Sequence, residues 1–213
     1  MATKVRSAFW AAVWLCGSVM ALPAWAATGY HPLTGNPDGH YRIDGDHSAV
    51  FFTIGHVGIA DFTGRFDRIS GSYTLDRRDP AKDQTNIVIP AASINTNLAL
   101  RDEHLRSAEF FDVQQYPDIT FVSTRYTPTG KGGGRLYGNL SLHGVTRPVV
   151  FQVRETGAGE VAYLPKPWGG YLSGFVATTS IKRSDFGMTA YLPEGLSNRI
   201  DIRVEIEGIR QQK

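Results

Sequence analysis

The sequence has a single cysteine among its 213 residues, Cys16. That residue falls within the first 26 residues, which we interpret below as a removable segment. The rest of the chain has no thiol, and this excludes disulfide bonds, thiolate zinc sites, iron–sulfur clusters and cysteine catalysis there. About 187 residues remain beyond this segment, and a chain of this length can bury a hydrophobic core without disulfide cross-links.

An excess of charge of one sign is also lacking. The chain has 22 Lys and Arg against 20 Asp and Glu, and two of the basic residues, Lys4 and Arg6, lie in the first 26 residues. Without them the count is 20 against 20. A basic surface that would bind phosphate backbones is therefore not indicated, and we expect no nucleic-acid partner.

Apolar runs are short, and the main one lies at the N-terminus. Residues Ala8 to Leu22 are apolar apart from one Gly and one Ser, and Pro23 and Ala24-Trp25-Ala26 follow. A basic start, a short apolar stretch and a small-x-small ending are typical of an export signal, whereas a membrane-spanning helix needs roughly 20 residues. We predict a signal peptide over 1–26, cleavage near Ala26 and a periplasmic or secreted protein. An uncleaved N-terminal anchor is the alternative.

Two further regions follow the predicted signal. Residues 27–40 contain two prolines and three glycines with no hydrophobic period, which predicts a flexible leader. From Tyr41 the pattern becomes regular, and we predict one folded domain over 41–209.

The regular pattern of this domain is that of β-strands. Val50, Phe52, Ile54 and His56 fall on one face at period two, and 200–207 alternates four aliphatic residues with four charged ones. A helix would distribute those aliphatic residues around its circumference. The chain is therefore predicted to be mainly β.

The connections between the predicted strands are short. Residues 129–134 and 156–159 are glycine-rich, and His143-Gly144 joins two strand-like runs directly. Short connections favour antiparallel neighbours in up-and-down order. An alternating sheet with one apolar face must then close on itself or be covered, and both a barrel and a sandwich satisfy this requirement.

One stretch interrupts the strands. Residues 97–107 contain good helix formers, Asn97 is a candidate N-cap, and Pro117 precedes the next strand. We predict a short helix within 97–112.

Three histidines of the domain, His56, His104 and His143, form the strongest candidate for catalysis. Three imidazoles can hold zinc with a position open to water. None of these residues, however, forms the close pair that places two ligands on one face, and the chain has no nucleophile elbow or P-loop. We therefore predict no metal and no enzymatic activity, with a metal-dependent hydrolase as the alternative.

The domain is rich in aromatic and aliphatic residues, with Phe concentrated between Phe51 and Phe151. Most of these residues belong to a core. About eight strands enclose an interior just wide enough for packed side chains or for one small ligand. The pattern alone leaves open whether the interior is filled, as in a structural envelope protein, or hollow.

A set of motifs in fixed order resembles the YceI-like family. The opening motifs are Tyr41-Arg-Ile-Asp44, His47-Ser48 and Gly64-Arg-Phe66. Those of the middle and end are Arg101-Asp-Glu-His-Leu105, Phe110-Phe-Asp-Val113, 116–123, 138–148 and Arg183-Ser-Asp-Phe-Gly-Met188. Together they span most of 41–209, and their number and order make the resemblance specific.

The resemblance implies a single antiparallel, up-and-down, lipocalin-like β-barrel with a short helical insertion. It also implies an apolar pore that holds a polyisoprenoid or similar amphiphilic lipid, such as an isoprenoid quinone, with no other cofactor and no catalytic residue. Transient contact with a membrane is compatible with this function. The region 158–170 is longer than in the family pattern and is expected to alter the mouth of the pore.

The expected site follows from this resemblance and from the alternation of the strands. The predicted pore lining consists of Val50, Phe52, Ile54, Phe110, Phe111, Phe121, Leu140, Leu142, Phe151, Phe175, Ile181, Phe186 and Met188. The predicted contacts to a polar head group are His56, Arg101, His143 and Arg183. We expect these polar groups to gather at one end of the pore.

Overall fold

The computed structural model describes residues 32–130 and 132–212, so the predicted signal over 1–26 lies outside the described residues. The strands are β1 (Gly39–Ile43), β2 (Ala49–His56), β3 (Ala60–Phe66), β4 (Ser70–Leu75), β5 (Gln84–Pro90), β6 (Ile94–Asn95), β7 (Asp118–Gly130), β8 (Gly133–Leu142), β9 (Val145–Val161), β10 (Gly170–Lys182) and β11 (Leu196–Arg210). The helix α1 spans Ala99–Arg106. No helix of the described ranges is long and apolar enough to cross a membrane.

The strands form one closed antiparallel barrel. β1 with β2, β3 with β4, and β5 with β6 are each two parts of one long strand, so eight strands surround the interior. Each of the eight pairs with its neighbours in the sequence, and β11 closes the ring by pairing with both β1 and β2. The predicted up-and-down barrel is confirmed, and the sandwich is excluded by this closure.

The break between β1 and β2 is stabilised by local polar contacts. The buried carboxylate of Asp44 accepts hydrogen bonds from the backbone N–H of Asp46 at 3.1 Å and from His47 Nδ1 at 2.9 Å. Across from the break, the backbone N–H of Glu207 donates to Ser48 Oγ at 3.0 Å. These bonds satisfy polar groups where the ladder of strand pairs is interrupted.

The alternation predicted for β11 is the one that the structure shows. Ile200, Ile202 and Val204 line the interior, whereas Asp201 and Arg203 are exposed. The period of two therefore identified the inner face of this strand correctly.

The described part of the predicted leader is docked rather than loose. Backbone hydrogen bonds join Gly35 N to Ala158 O at 2.6 Å and Ala158 N to Leu33 O at 3.0 Å, and Pro37 is fully buried. The carbonyl of Asn36 accepts hydrogen bonds from two side chains, Tyr171 at 2.7 Å and Arg210 at 2.6 Å. The partners lie far away in sequence, so local composition gave no sign of them.

The helix lies where it was predicted, but its start is built differently. Leu98 occupies the N-cap position without a side-chain hydrogen bond, and Asn97 precedes it with φ of 62°. Instead, the buried carboxylate of Asp102 accepts hydrogen bonds from the backbone N–H of Thr96 at 2.8 Å and from its hydroxyl at 2.5 Å. An acidic residue in the first turn thus connects the helix to the preceding strand.

Candidate functional site: an apolar cavity through the barrel

The barrel has two different ends. At the helix end lie α1, the β2–β3 turn (57–59), the β8–β9 turn (143–144) and the β10–β11 connection (183–195). At the leader end lie residues 32–38, the β4–β5 turn (76–83), the β7–β8 turn and the β9–β10 turn (162–169). The predicted long region 158–170 is thus partly strand, and its turn belongs to the leader end.

The barrel is not filled. A cavity of about 780 Å³ runs through its interior, and its lining extends to exposed residues at both ends. The middle of the lining is apolar and comes from every part of the barrel wall and from the segment after α1. This volume lies within the range of small-molecule binding pockets, roughly 300–1,000 Å³.

The cavity brings together most of the predicted pore residues. Its lining includes Val50, Phe52, Ile54, Phe110, Phe111, Phe121, Leu140, Leu142, Phe151, Phe175, Ile181 and Met188. Phe186, which was also predicted to line the pore, lies outside the lining and is buried with 1% exposure. It belongs to the 3₁₀ turn Arg183–Phe186, so strand alternation could not orient its side chain.

Aromatic rings form much of the wall. Phe66 contacts Phe52 at a centroid distance of 5.8 Å and Phe111 edge-on at 5.6 Å, and this links β2, β3 and the segment after α1. On the opposite side, Phe121 and Phe151 meet edge-on at 5.2 Å. Edge-to-face packing of this kind fixes the rings and hence the bore.

Arg183 lies in the cavity wall at the helix end, and its donors are already used. With 4% exposure, it donates to the carbonyls of Ser197 at 2.9 Å, Met188 at 3.0 Å and Leu196 at 3.1 Å. Burial lowers the pKa of this guanidinium. Its first role is therefore to hold the β10–β11 connection against the barrel.

Arg101 and His56 are the predicted polar residues that remain accessible from the cavity. Arg101 donates through Nε to Thr96 Oγ1 at 2.7 Å and through Nη2 to Thr96 O at 2.6 Å. Its guanidinium carbon lies 4.2 Å from the centroid of the Phe62 ring, and His56 lies at the exposed edge of the lining. His143 lies outside the lining and donates through Nδ1 to the carbonyl of Phe186 at 3.1 Å.

A second polar group at the leader end was missed by the sequence analysis. Arg77 Nη2 donates to Glu155 Oε2 at 2.7 Å, and the backbone N–H of Asp76 donates to Asp83 Oδ1 at 2.7 Å. All four residues line the cavity, together with Tyr126. The polar residues predicted from the sequence thus all belong to the helix end, but the polar lining of the cavity is not confined to that end. The charged turn 76–83 was visible in the sequence, but nothing local placed Glu155 beside it.

Burial changes the ionisation of this leader-end group. Desolvation raises the pKa of Asp83 to about 6; the hydrogen bond from the Asp76 backbone partly offsets this rise, and the negative charges of Asp76, Asp38 and Asp79 add to it. Desolvation also raises the pKa of Tyr126. Both effects favour the neutral forms in a poorly solvated environment.

The three histidines considered for catalysis do not form a common site. His104 donates through Nε2 to Glu109 at 2.6 Å on the surface, His143 contacts Phe186 and the ring of Tyr116, and His56 lies at the cavity edge. Among the residues with described positions, the one group of three possible metal ligands is Asp44, His47 and Glu207. The Asp44–His47 hydrogen bond at the β1–β2 break accounts for much of that grouping.

Comparison with known proteins gives consistent matches over this domain. A family model described as YceI-like domain matches residues 41–208. A UPF0312 protein of Yersinia enterocolitica is 41% identical over 172 residues, covering 80% of this chain and 86% of the relative.

Solved structures share the fold. BcnA of Burkholderia cenocepacia matches with a TM-score of 0.69 and 20% identity, over 78% of this chain and 98% of that one. A polyisoprenoid binding domain from Saccharophagus degradans matches with a TM-score of 0.59 and 17% identity, over 80% of this chain and 98% of that one.

Proposed function

The chain belongs to the YceI-like family, and we propose that it binds and carries an amphiphilic lipid whose isoprenoid tail lies in the barrel cavity. The observation that carries the proposal is the open, apolar middle of the barrel, about 780 Å³ in volume. Filling it with a hydrocarbon tail removes apolar area from water at roughly 25 cal/mol per Å², before the cost of ordering the tail. The ligand class is a polyisoprenoid or an isoprenoid quinone, with no other cofactor.

The head group of the lipid lies at the helix end in this proposal. Arg101 and His56 are the accessible polar side chains there, and Arg101 has a guanidinium nitrogen beyond the two that Thr96 engages. At the leader end, Arg77 is paired with Glu155, so Asp76 and Asp83 leave the polar lining acidic and disfavour an anionic group by like-charge repulsion. The helix end therefore suits a carbonyl, hydroxyl or phosphate better.

No chemical step is part of the proposed function. The separation of His56, His104 and His143 supports this view, as does the use of Arg183 in backbone hydrogen bonds. To bind a hydrocarbon tail, a protein needs an apolar cavity of matching shape that excludes water, and it needs neither a nucleophile nor a base.

We further propose that the protein acts outside the cytoplasm, in the periplasm or as a secreted protein. The basic start, the short apolar run and the Ala24-Trp25-Ala26 ending support this location. N-terminal sequencing of protein recovered from the cell envelope or the medium tests it, with the expected first residue at Ala27. A protein that begins at Met1 and is confined to the cytosol would refute it.

Native mass spectrometry of the protein purified from its own host tests the binding function. We expect a bound species that is released on denaturation and is extracted as a lipid with a repeating five-carbon tail. As a control, the same measurement on Leu140→Trp, which narrows the bore, should show the unbound mass. Protein that is free of lipid from its host and that also fails to bind a dansyl-labelled farnesyl probe would overturn the proposal.

A further inference from the structure

Apolar side chains are exposed on two neighbouring tips at the helix end. The β2–β3 turn presents Val57, 48% exposed, and Ile59, 86% exposed. The start of α1 presents Leu98, 51% exposed, and Leu100, 75% exposed. We call these four side chains the apolar rim.

The apolar rim borders the cavity opening. His56, Ala60 and Asp61, on either side of the β2–β3 turn, are exposed and also line the cavity. The first turn of α1 lies beside the same hairpin, because Arg101 stacks on Phe62 at 4.2 Å. The two tips therefore lie close to the entrance that a lipid tail would use at this end.

The β2–β3 turn has an unfavourable sequence for its geometry. Val57 and Gly58 have φ of 45° and 69°, and the N–H of Ile59 donates to the carbonyl of His56 at 3.0 Å. The two positive φ values and this hydrogen bond are those of a type I′ turn. Asn-Gly is strongly preferred in such a turn, and a β-branched residue is strained there. An apolar side chain is thus held at the tip despite a local cost.

We propose that the apolar rim inserts into the surface of a lipid bilayer, so that the cavity opens towards the membrane from which its lipid is taken. This inference rests on the proposed function and assigns it a docking face. The four side chains expose well under the roughly 800 Å² per partner that a stable protein interface buries, and they stand on two separate tips rather than on one flat face. Side chains of this kind suit shallow insertion at the level of the lipid head groups.

The opposite end is less suited to a membrane, although it also exposes apolar groups. Tyr163 is 85% exposed and Trp168 is 41% exposed in the β9–β10 turn. That end also carries charged side chains, among them Asp38, Asp76 and the ion pair of Asp79 with Lys82 at 3.2 Å, and their loss of water on insertion would oppose binding to a bilayer. The β9–β10 turn therefore provides a matched control.

Flotation with phosphatidylcholine vesicles tests the docking face. We expect wild-type protein to float with these neutral vesicles and to remain bound in high salt, because apolar insertion is not screened. The double variant Ile59→Ser/Leu100→Ser should bind the vesicles at least about tenfold more weakly than wild type. The double variant Tyr163→Ser/Trp168→Ser should bind them like wild type. Val57→Asn, which suits the turn geometry, should keep the fold and also reduce binding.

Other results would overturn the inference. They are absence of wild-type flotation, equal flotation of the rim double variant, or loss of flotation in the β9–β10 variant alone. A wild-type dimer in solution that the rim variants dissociate, without vesicle binding, would assign the rim to a second copy of the chain instead.

A second measurement separates this inference from the proposed function. Binding of a dansyl-labelled farnesyl probe in solution reports on the cavity, and its transfer from vesicles to protein reports on docking. We expect the rim variants to bind the dissolved probe normally and to accept it from vesicles at least about tenfold more slowly. Normal transfer in these variants overturns the docking face alone, whereas lack of probe binding by the wild type overturns the proposed function.

Discussion

The ring of Phe52 lies directly over Gly64 on the paired strand, and a methyl group at Gly64 would stand 2.4 Å from the Cζ atom of that ring. The two residues are register partners in β2 and β3, and Phe52 lines the cavity. The absence of a side chain at Gly64 therefore lets the ring lie flat against the wall instead of standing across the bore.

We expect Gly64→Ala to destabilise the protein by about 1–3 kcal/mol, because the ring must move away from the wall. The check is a double-mutant cycle in chemical denaturation. In Phe52→Leu the clash is smaller, so adding Gly64→Ala to it should cost less than adding it to wild type. Additive changes in the free energy of unfolding would show that the contact does not govern the effect.

Leu140→Trp should fill the bore and release the lipid while changing the melting temperature little. Leu140 is 6% exposed and lines the cavity, so the larger side chain has empty space to occupy. Asn139→Trp, at the neighbouring exposed position, is the matched control and should keep its lipid. Lipid per protein and melting temperature are measured together. A large fall in melting temperature with no lipid in either protein would indicate a packed interior.

Arg183→Met should reduce the free energy of unfolding by about 2–4 kcal/mol, because one buried carbonyl and two partly buried carbonyls lose their donor. Arg101→Met, at the cavity edge, should reduce the free energy of unfolding by less than Arg183→Met does, and should weaken lipid binding instead. Thermal unfolding and probe affinity, measured on both variants, distinguish the two roles. The assignment fails if Arg183→Met remains stable and loses only the lipid.

The raised pKa of Asp83 predicts a pH dependence of stability. Its pKa is raised from 3.8 to about 6, so the folded state holds this proton more tightly than the unfolded state does. The stabilising contribution is complete below about pH 4, falls as the pH rises from about 4 to 6, and is absent above that range.

Asp83→Asn should therefore stabilise the protein at pH 7 by about 1 kcal/mol, since solvent screens part of the penalty, and should flatten the pH profile between 4 and 6. Its side-chain oxygen can still accept the hydrogen bond from Asp76 N. Asp118→Asn, at an exposed position of the helix end, is the control. Unfolding at several pH values gives the measurement, and an unchanged profile for Asp83→Asn would contradict the prediction.

The inner faces of the strands could be predicted because they depend on local order. Ile200, Ile202 and Val204 face inward for the reason that the sequence suggested, namely that successive side chains of a strand point to opposite sides. The helix was also predictable, since 97–107 lacks this alternation. Composition and periodicity allowed either a barrel or a sandwich, and the family motifs favoured the up-and-down barrel.

The sequence by itself thus determined the strands, their apolar face and the helix, whereas the tertiary structure decided everything that depends on distance across the barrel. Only the closed ring shows that the inward side chains leave a cavity, because the bore depends on how opposite walls approach one another. Only the fold brings Glu155 to Arg77, gives Arg183 its three carbonyls and docks Asn36 against Tyr171. These contacts join residues on different elements, and a local pattern carries no information about which elements become neighbours.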